Sequence, residues 1–154
     1  MRDFSGRVAV VTGAGSGIGR ALAQALAAEG AHLALSDVNE AGLSETVASL
    51  PTNRGKVTTE LVDVADRAAV EAHAVHVVEE HGRANLVINN AGVSVASTVA
   101  DLTPEDFHWI VGINFWGVVH GTQAFLPHLL ASGEGHVVNI SSIFGMIAFP
   151  GQGS

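Results

Sequence analysis

The stretch Arg7 to Gly19, RVAVVTGAGSGIG, constrains this chain more than any other. A β-branched apolar run ends in a cluster of glycines, and IGRALAQALAAE follows at once with helical spacing rich in Ala and Leu. That switch of period across glycines reads as strand, tight turn, helix. Glycines let main-chain N–H groups approach an anion closely, and the first turn of a helix favours negative charge. The chain is therefore expected to open with a βα unit whose connecting turn is a phosphate site, and the rest has to pack around it.

The remaining pattern repeats the unit. His32 to Ser36 reads as a second strand finishing at Asp37, Glu40 to Leu50 as a helix stopped by Pro51, and Lys56 to Val62 as a third strand. Asp66 to Glu80 reads as a helix with Val70, Ala74, Val77 and Val78 on its apolar face, and Leu86 to Asn89 as a fourth strand. Thr103 as N-cap, Pro104 at the first helical position and an acid at the third open one long helix reaching about Leu130. His136 to Ile140 is a fifth strand. Strands apolar on both faces alternating with helices predict an α/β fold, a doubly wound parallel sheet in three layers, α-β-α. The 154 residues suffice for one domain, and no linker or repeat divides them.

Composition narrows the partners. Fifteen Asp and Glu against seven Lys and Arg give a formal charge of -8, which argues against nucleic acid or an anionic membrane as the principal partner. The uncharged run from His108 to Gly133 contains Asn114, Gln123 and Pro127, and reads as a buried or subunit-facing helix rather than a membrane span. Without Cys there is no disulfide, thiolate nucleophile or zinc-thiolate site, which fits a reducing, cytoplasmic setting. His73 and His76, followed by Glu79 and Glu80, are the nearest approach to a metal motif, but nothing elsewhere completes it and no metal is assigned. Trp109 and Trp116, in the long helix, read as packing or interface residues.

Several positions suit a dinucleotide. Gly13, Gly15, Ser16, Gly17, Ile18 and Gly19 form the glycine turn. Asp37, at the end of the second strand, can accept both hydroxyls of an adenosine ribose and would repel an added 2′-phosphate, which favours NAD over NADP; an ordinary turn role is the competing reading. Asp63 and Val64 can meet the adenine, or Asp63 can merely begin a helix. Asn89, Ala91 and Gly92 follow the fourth strand, where a sheet of this type reverses its strand order and leaves a crevice.

Taken together, TGAGSGIG, Asp37, Asp63-Val64, NNAG (Asn89 to Gly92), Asn114 and NISS (Asn139 to Ser142) resemble the short-chain dehydrogenase/reductase family, in its compact group, along the whole chain. The resemblance implies a Rossmann-like NAD(P)-binding domain over residues 1–154. It further implies an oxidoreductase that moves a hydride between the nicotinamide C4 and a small secondary alcohol or ketone. In such enzymes Gly13, Ser16, Ile18 and Gly19 surround the pyrophosphate, Asp37 the adenine ribose, Asp63 and Val64 the adenine, and Asn89, Ala91 and Gly92 the nicotinamide ribose. Asn114 and Ser142 match the catalytic Asn and Ser. Homodimers or homotetramers are the family's habit.

One departure matters. The family places a Tyr thirteen residues after that Ser and a Lys four further on, so the Tyr would directly follow Ser154. The chain contains no Tyr, and its one Lys, Lys56, precedes the third strand. Ser and Asn are not bases, so the expectation is an N-terminal portion, incomplete on its C-terminal side, that is inactive alone. The fifth strand and the apolar helix before it are then expected to self-associate. A non-catalytic dinucleotide-binding protein on the same fold is the alternative reading. A methyltransferase is disfavoured because NNAG and NISS would have no task in it. Val93 to Val99 and Phe144 to Pro150 are expected near the substrate.

Overall fold

The computed structural model describes residues 3–147 and 151. Five parallel strands, β1 (Val8–Thr12), β2 (His32–Asp37), β3 (Val57–Leu61), β4 (Leu86–Asn89) and β5 (His136–Asn139), lie in the order β3-β2-β1-β4-β5. Each crossover is helical: α1 (Gly17–Ala28), α2 (Glu40–Ser49), α3 (Arg67–His81), and α4 (Pro104–Val111) running through a π-helical turn, Gly112–Trp116, into α5 (Gly117–Ala131). The last element among the described residues is a short 3₁₀ turn, Ile143–Gly145.

Alternation along the central strands sorts their side chains into two cores. Ala9, Val11, Leu33, Leu35 and Ile88 face α1 and α2, packing on Ala23, Leu26, Leu43 and Leu50. Val8, Val10, Ala34 and Val87 face α3 and α5, packing on Ala74, Val77, Phe125 and Leu129. Two apolar faces on one sheet require helices on both sides, which is the doubly wound, three-layer arrangement. At 25 cal/mol per Å², each fully buried Val or Leu contributes about 1.5–3 kcal/mol, so the four β1 residues Val8 to Val11, at most 1% exposed, are a large share of what holds the layers together.

Three features differ from the sequence reading. The helix begun by Thr103, whose Oγ1 accepts the Asp106 N–H at 3.1 Å, is one run only in the sense of a shared path. Its hydrogen-bond ladder loosens to π geometry over Gly112 to Trp116, a form that concentrates at functional sites. β3 is not apolar on both faces: it is an edge strand reading VTTEL, with Leu61 56% exposed. In α3, Val70, Ala74 and Val77 are buried as expected, but the fourth buried residue is His73, while Val78 is half-buried. His73 points inward to Glu60 of β3, Nδ1 to carboxylate 2.6 Å, with its ring edge-on to Phe125; His76 stays exposed, so the two histidines do not share a face. No helix of the described residues is long and apolar enough to cross a membrane.

Candidate active site

A cleft of about 340 Å³ opens along the carboxyl ends of the strands, where strand order reverses between β1 and β4. Connections leave to opposite faces at such a point, so nothing fills the gap above the sheet. The walls are Gly13, Ser16, Gly17 and Ile18 of the first turn, Asp37 and Val38 after β2, Val62 to Val64 after β3, Asn90 to Val93 after β4, and Ile113 of the π turn. Of the residues singled out in the sequence, Gly13, Ser16, Gly17, Ile18, Asp37, Asp63, Val64, Ala91 and Gly92 meet there. Gly15, Gly19, Asn89, Asn114 and Ser142 do not form its wall.

Gly13 has φ +65°, and a Cβ on it would stand 2.8 Å from the Ala91 Cα, so the turn and the segment after β4 approach each other only through glycine. Gly15 donates its N–H to Asp37 Oδ2 at 2.8 Å; a Cβ on residue 15 would fall 2.9 Å from the same oxygen. Gly19 packs without a side chain against the Gly13 carbonyl. Ser16 is the N-cap of α1 but its hydroxyl makes no capping bond, which leaves the first-turn N–H groups, without intrahelical acceptors, facing the opening.

Asp37 is fixed at both oxygens, Oδ1 accepting from the Asn39 N–H at 2.9 Å and Oδ2 from Gly15. The turn role and the ribose-reading position thus coincide in one side chain, because each carboxylate oxygen keeps a further lone pair. Asn39 caps α2 by accepting from the Gly42 N–H at 3.1 Å. Among the described residues neither Asp37 nor Asp63 has a basic partner, so this end of the cleft carries uncompensated negative charge. Asp63 accepts from the Ala65 N–H at 2.9 Å in a local turn, and the helix cap proper is Asp66, which accepts from Ala68 and Ala69. Val64 is buried against Gly117, and its carbonyl accepts from His120 Nδ1 at 3.0 Å.

The NNAG segment divides its labour in a way the residue types alone do not announce. Asn89, 3% exposed, turns away from the cleft; its Nδ2 donates to Thr122 Oγ1 at 3.2 Å and to Asn139 Oδ1 at 2.8 Å, joining β4 to α5 and β5. Asn90 is the one on the wall, its Nδ2 donating to the Thr12 and Gly13 carbonyls at 2.9 and 3.2 Å. Thr12 Oγ1 accepts from the Asn90 and Ala91 N–H groups, both at 3.0 Å. Asn90 was readable only from phase: one step along a strand moves a side chain to the opposite face.

Asn114, in the π turn, grips one residue at both ends: its Oδ1 accepts from the Val93 N–H at 2.9 Å and its Nδ2 donates to the Val93 carbonyl at 2.8 Å. Ser142 lies beyond β5, exposed, its Oγ accepting from the Phe144 N–H at 3.2 Å. Lys56 is at the other end of β3 from the cleft, bonded to the Glu80 carboxylate at 2.7 Å. Phe144 to Ile147 are exposed; the rest of the expected substrate segment, Ala148 to Pro150, lies outside the described residues.

Comparison with known proteins agrees with this architecture. A family model described as short chain dehydrogenase matches residues 7–154. SadH of Mycobacterium tuberculosis, named as an oxidoreductase, is 53% identical over 152 residues, covering 99% of this chain and 55% of its own length. The meso-2,3-butanediol dehydrogenase of Serratia marcescens is 39% identical over 143 residues, covering 93% of this chain and 56% of its own. The crystal structure of a short chain dehydrogenase/reductase from Burkholderia phymatum in complex with NAD superposes with a TM-score of 0.94 at 40% identity, over 99% of this chain and 55% of that one. Two other matching structures hold NADP and 5-hydroxy-NADP. The chain thus spans about half the length of SadH and of the butanediol dehydrogenase. Sheet order, glycine turn and sequence likeness lead to one conclusion: this chain belongs to the short chain dehydrogenase family.

Proposed function

We propose that the protein carrying this chain is an NAD-dependent oxidoreductase that interconverts a secondary alcohol and a ketone. When bound, the dinucleotide supplies the hydride acceptor or donor at its nicotinamide C4. The chain's own residues bind and orient. The N–H groups at Ser16, Gly17 and Ile18 receive the pyrophosphate, Asp37 accepts the adenine ribose hydroxyls, Asp63 and Val64 bound the adenine, and Ala91 and Gly92 give the nicotinamide ribose close backbone approach. Asn114 holds the Val93 peptide in place beside that ribose. Ser142 offers a hydroxyl to the substrate oxygen but cannot act as base, since its own proton is far too weakly acidic. Asn89 acts at one remove, through β5 and α5.

The observation that carries the reading is Asp37: a carboxylate without a basic partner, held by two main-chain N–H groups at the lip of a cleft entered by open helix N–H groups. The residues fit the cofactor because Gly13, where a Cβ would strike Ala91, lets the turn and the segment after β4 close into one wall of the cleft, and the N-cap hydroxyl of Ser16 leaves its donors free. Titrating NAD and NADP against the protein tests this. NAD is expected to bind more tightly, and Asp37→Ala is expected to weaken NAD and erase the discrimination; equal affinities, or tighter NADP, in the unaltered protein overturn the ribose assignment.

The 154 residues contain neither a Tyr nor a Lys near the cleft, so they lack the positioned acid and base whose loss alone typically costs about 10²- to 10⁴-fold. This chain by itself is expected to give no NAD reduction with a panel of secondary alcohols. Robust turnover would show that a different group within these residues carries the proton.

A further inference from the structure

The cleft residues account for the front of the glycine turn; its back is held by Asn90 of the cleft wall together with Arg20 and Thr46, which line no part of the cleft. Four successive carbonyls, Thr12 to Gly15, each accept a side-chain hydrogen bond. Asn90 Nδ2 serves Thr12 and Gly13, Thr46 Oγ1 donates to Ala14 O at 2.8 Å, and Arg20 Nη2 donates to Gly15 O at 2.6 Å. Arg20 also donates from Nε to Thr46 Oγ1 at 2.9 Å and pairs with Glu45 at 2.9 Å. A hydroxyl has one hydrogen, so Thr46, accepting from Arg20, has its own proton directed to Ala14. Arg20 Nε–H, Thr46 O–H and Ala14 C=O thus form one chain of donors in a fixed sense.

In a trans peptide the C=O and the following N–H point in opposite directions, and no peptide in the described residues is cis. Holding the Gly15 carbonyl behind the turn therefore aims the Ser16 N–H forward into the cleft. Holding the Ala14 carbonyl behind it aims the Gly15 N–H at Asp37 Oδ2, the bond that orients the carboxylate. Either peptide, if it rotated, would turn a carbonyl oxygen toward negative charge: the bound anion at Ser16, or the Asp37 carboxylate at Gly15.

We propose that Arg20 and Thr46 are positioning residues for the dinucleotide: Arg20 sets the anion-facing N–H of Ser16, and Thr46 sets Asp37 through the Ala14–Gly15 peptide. The proposal rests on the NAD reading above. It divides the two effects by residue, which a general packing role does not. Thr46 is fully buried and Arg20 reaches it from α1, so the pair ties α1, α2 and the turn together without lining the cleft.

The test is calorimetric titration of adenosine, ADP, NAD and NADP against the protein and four variants, with unfolding temperature measured in parallel. Arg20→Ala is expected to weaken ADP and NAD about ten-fold, the effect of losing one charge-assisted hydrogen bond, while adenosine, lacking phosphate, changes by less than about two-fold. Arg20→Lys, which can still reach Gly15 O, recovers most of the ADP affinity. Thr46→Val is expected to narrow the NAD-to-NADP preference about three- to ten-fold by releasing Asp37, and Thr46→Ser restores it. Equal loss of adenosine and ADP affinity in Arg20→Ala, tracking a lower unfolding temperature, would reduce the pair to packing and overturn the proposal. Wild-type affinities in both Arg20→Ala and Thr46→Val would do the same. If Arg20→Ala does not fold, Arg20→Met, which keeps the apolar stem and loses the donors, replaces it for the split between ADP and adenosine, and the Thr46 pair decides the ribose half. Failure of the unaltered protein to bind any dinucleotide sinks the functional reading itself, a separate outcome.

Discussion

The sheet has two edges, and they are built to opposite rules. β3, at one edge, carries Thr58, Thr59 and Glu60, and each tie to α3 is polar: Lys56 to Glu80, Thr58 to His81, Glu60 to His73. β5, at the other, pairs among the described residues with β4 alone and is exposed at every residue, with Val137, Val138 and the following Ile140 36–41% open. Polar and charged side chains are how proteins stop an edge strand from recruiting another chain; apolar residues in the same position invite it. Apart from Leu61 at its end, β3 reads as a finished border. β5, continued by exposed Ile143, Phe144, Met146 and Ile147, reads as a surface meant to be covered.

The sharpest break of that contrast is association. These 154 residues are expected to self-associate, and Val138→Lys on the β5 edge should shift them toward monomer by at least an order of magnitude in dissociation constant. The equivalent charge at Thr59 on β3 should leave the state unchanged. A wild-type monomer by light scattering at tens of micromolar, roughly the range in which exposed edges aggregate, removes the distinction.

Next comes the core that backs each edge. Phe125, 1% exposed, packs against the buried His73 and ties α5 to α3 on the covered face. Phe125→Ala is expected to cost about 3–5 kcal/mol, the usual loss for a buried aromatic, read by urea denaturation. Val138→Ala, on the open edge and 41% exposed, should cost about 1 kcal/mol by the burial argument.

A smaller effect separates the edges by pH. Burial pushes the His73 pKa below 6.5, outweighing the bond to Glu60; among its surroundings Glu60 favours the charged ring, His76 opposes it, and Phe125 offers no charge. His81 is lowered too, first by burial and then by Lys56. The folded state therefore holds both rings neutral, so their contribution is complete above pH 6.5 and is lost as pH falls below it, where the unfolded chain binds more protons. Glu80, lowered by its bond to Lys56, adds a loss only below about pH 4.5. Stability measured by denaturation should fall as pH drops below 6.5, and His73→Leu should flatten that slope. An unchanged slope would remove His73 from the account.

Where local pattern decides, the sequence was legible: β1, α1, β2 and the N-cap at Thr103 lie within a residue or so of their expected places, because period, glycines and caps act over a few positions. The cleft was legible in its glycines, Asp37 and Ala91-Gly92 for the same reason. What failed depended on partners distant in sequence. His73 looks solvent-facing until Glu60 and Phe125 arrive beside it. Asn89 and Asn90 exchange inner and outer roles according to how β4 ends against α5. The π turn answers to Asn114 clasping Val93, a contact spanning 21 residues.

Gly121 has a consequence well away from any ligand. α5 lies so near β4 at this glycine that a Cβ there would overlap Asn89 Oδ1, and at Gly117 one would come within 2.7 Å of Val64. The helix therefore rides on the sheet at the least standoff a backbone permits, and Asn114 stands at the forward end of the same rod. A single methyl group at position 121 would lift that rod from its bearing and loosen the clasp on Val93, so the seat of Asn114 is set partly by the thickness of a hydrogen atom two helical turns away.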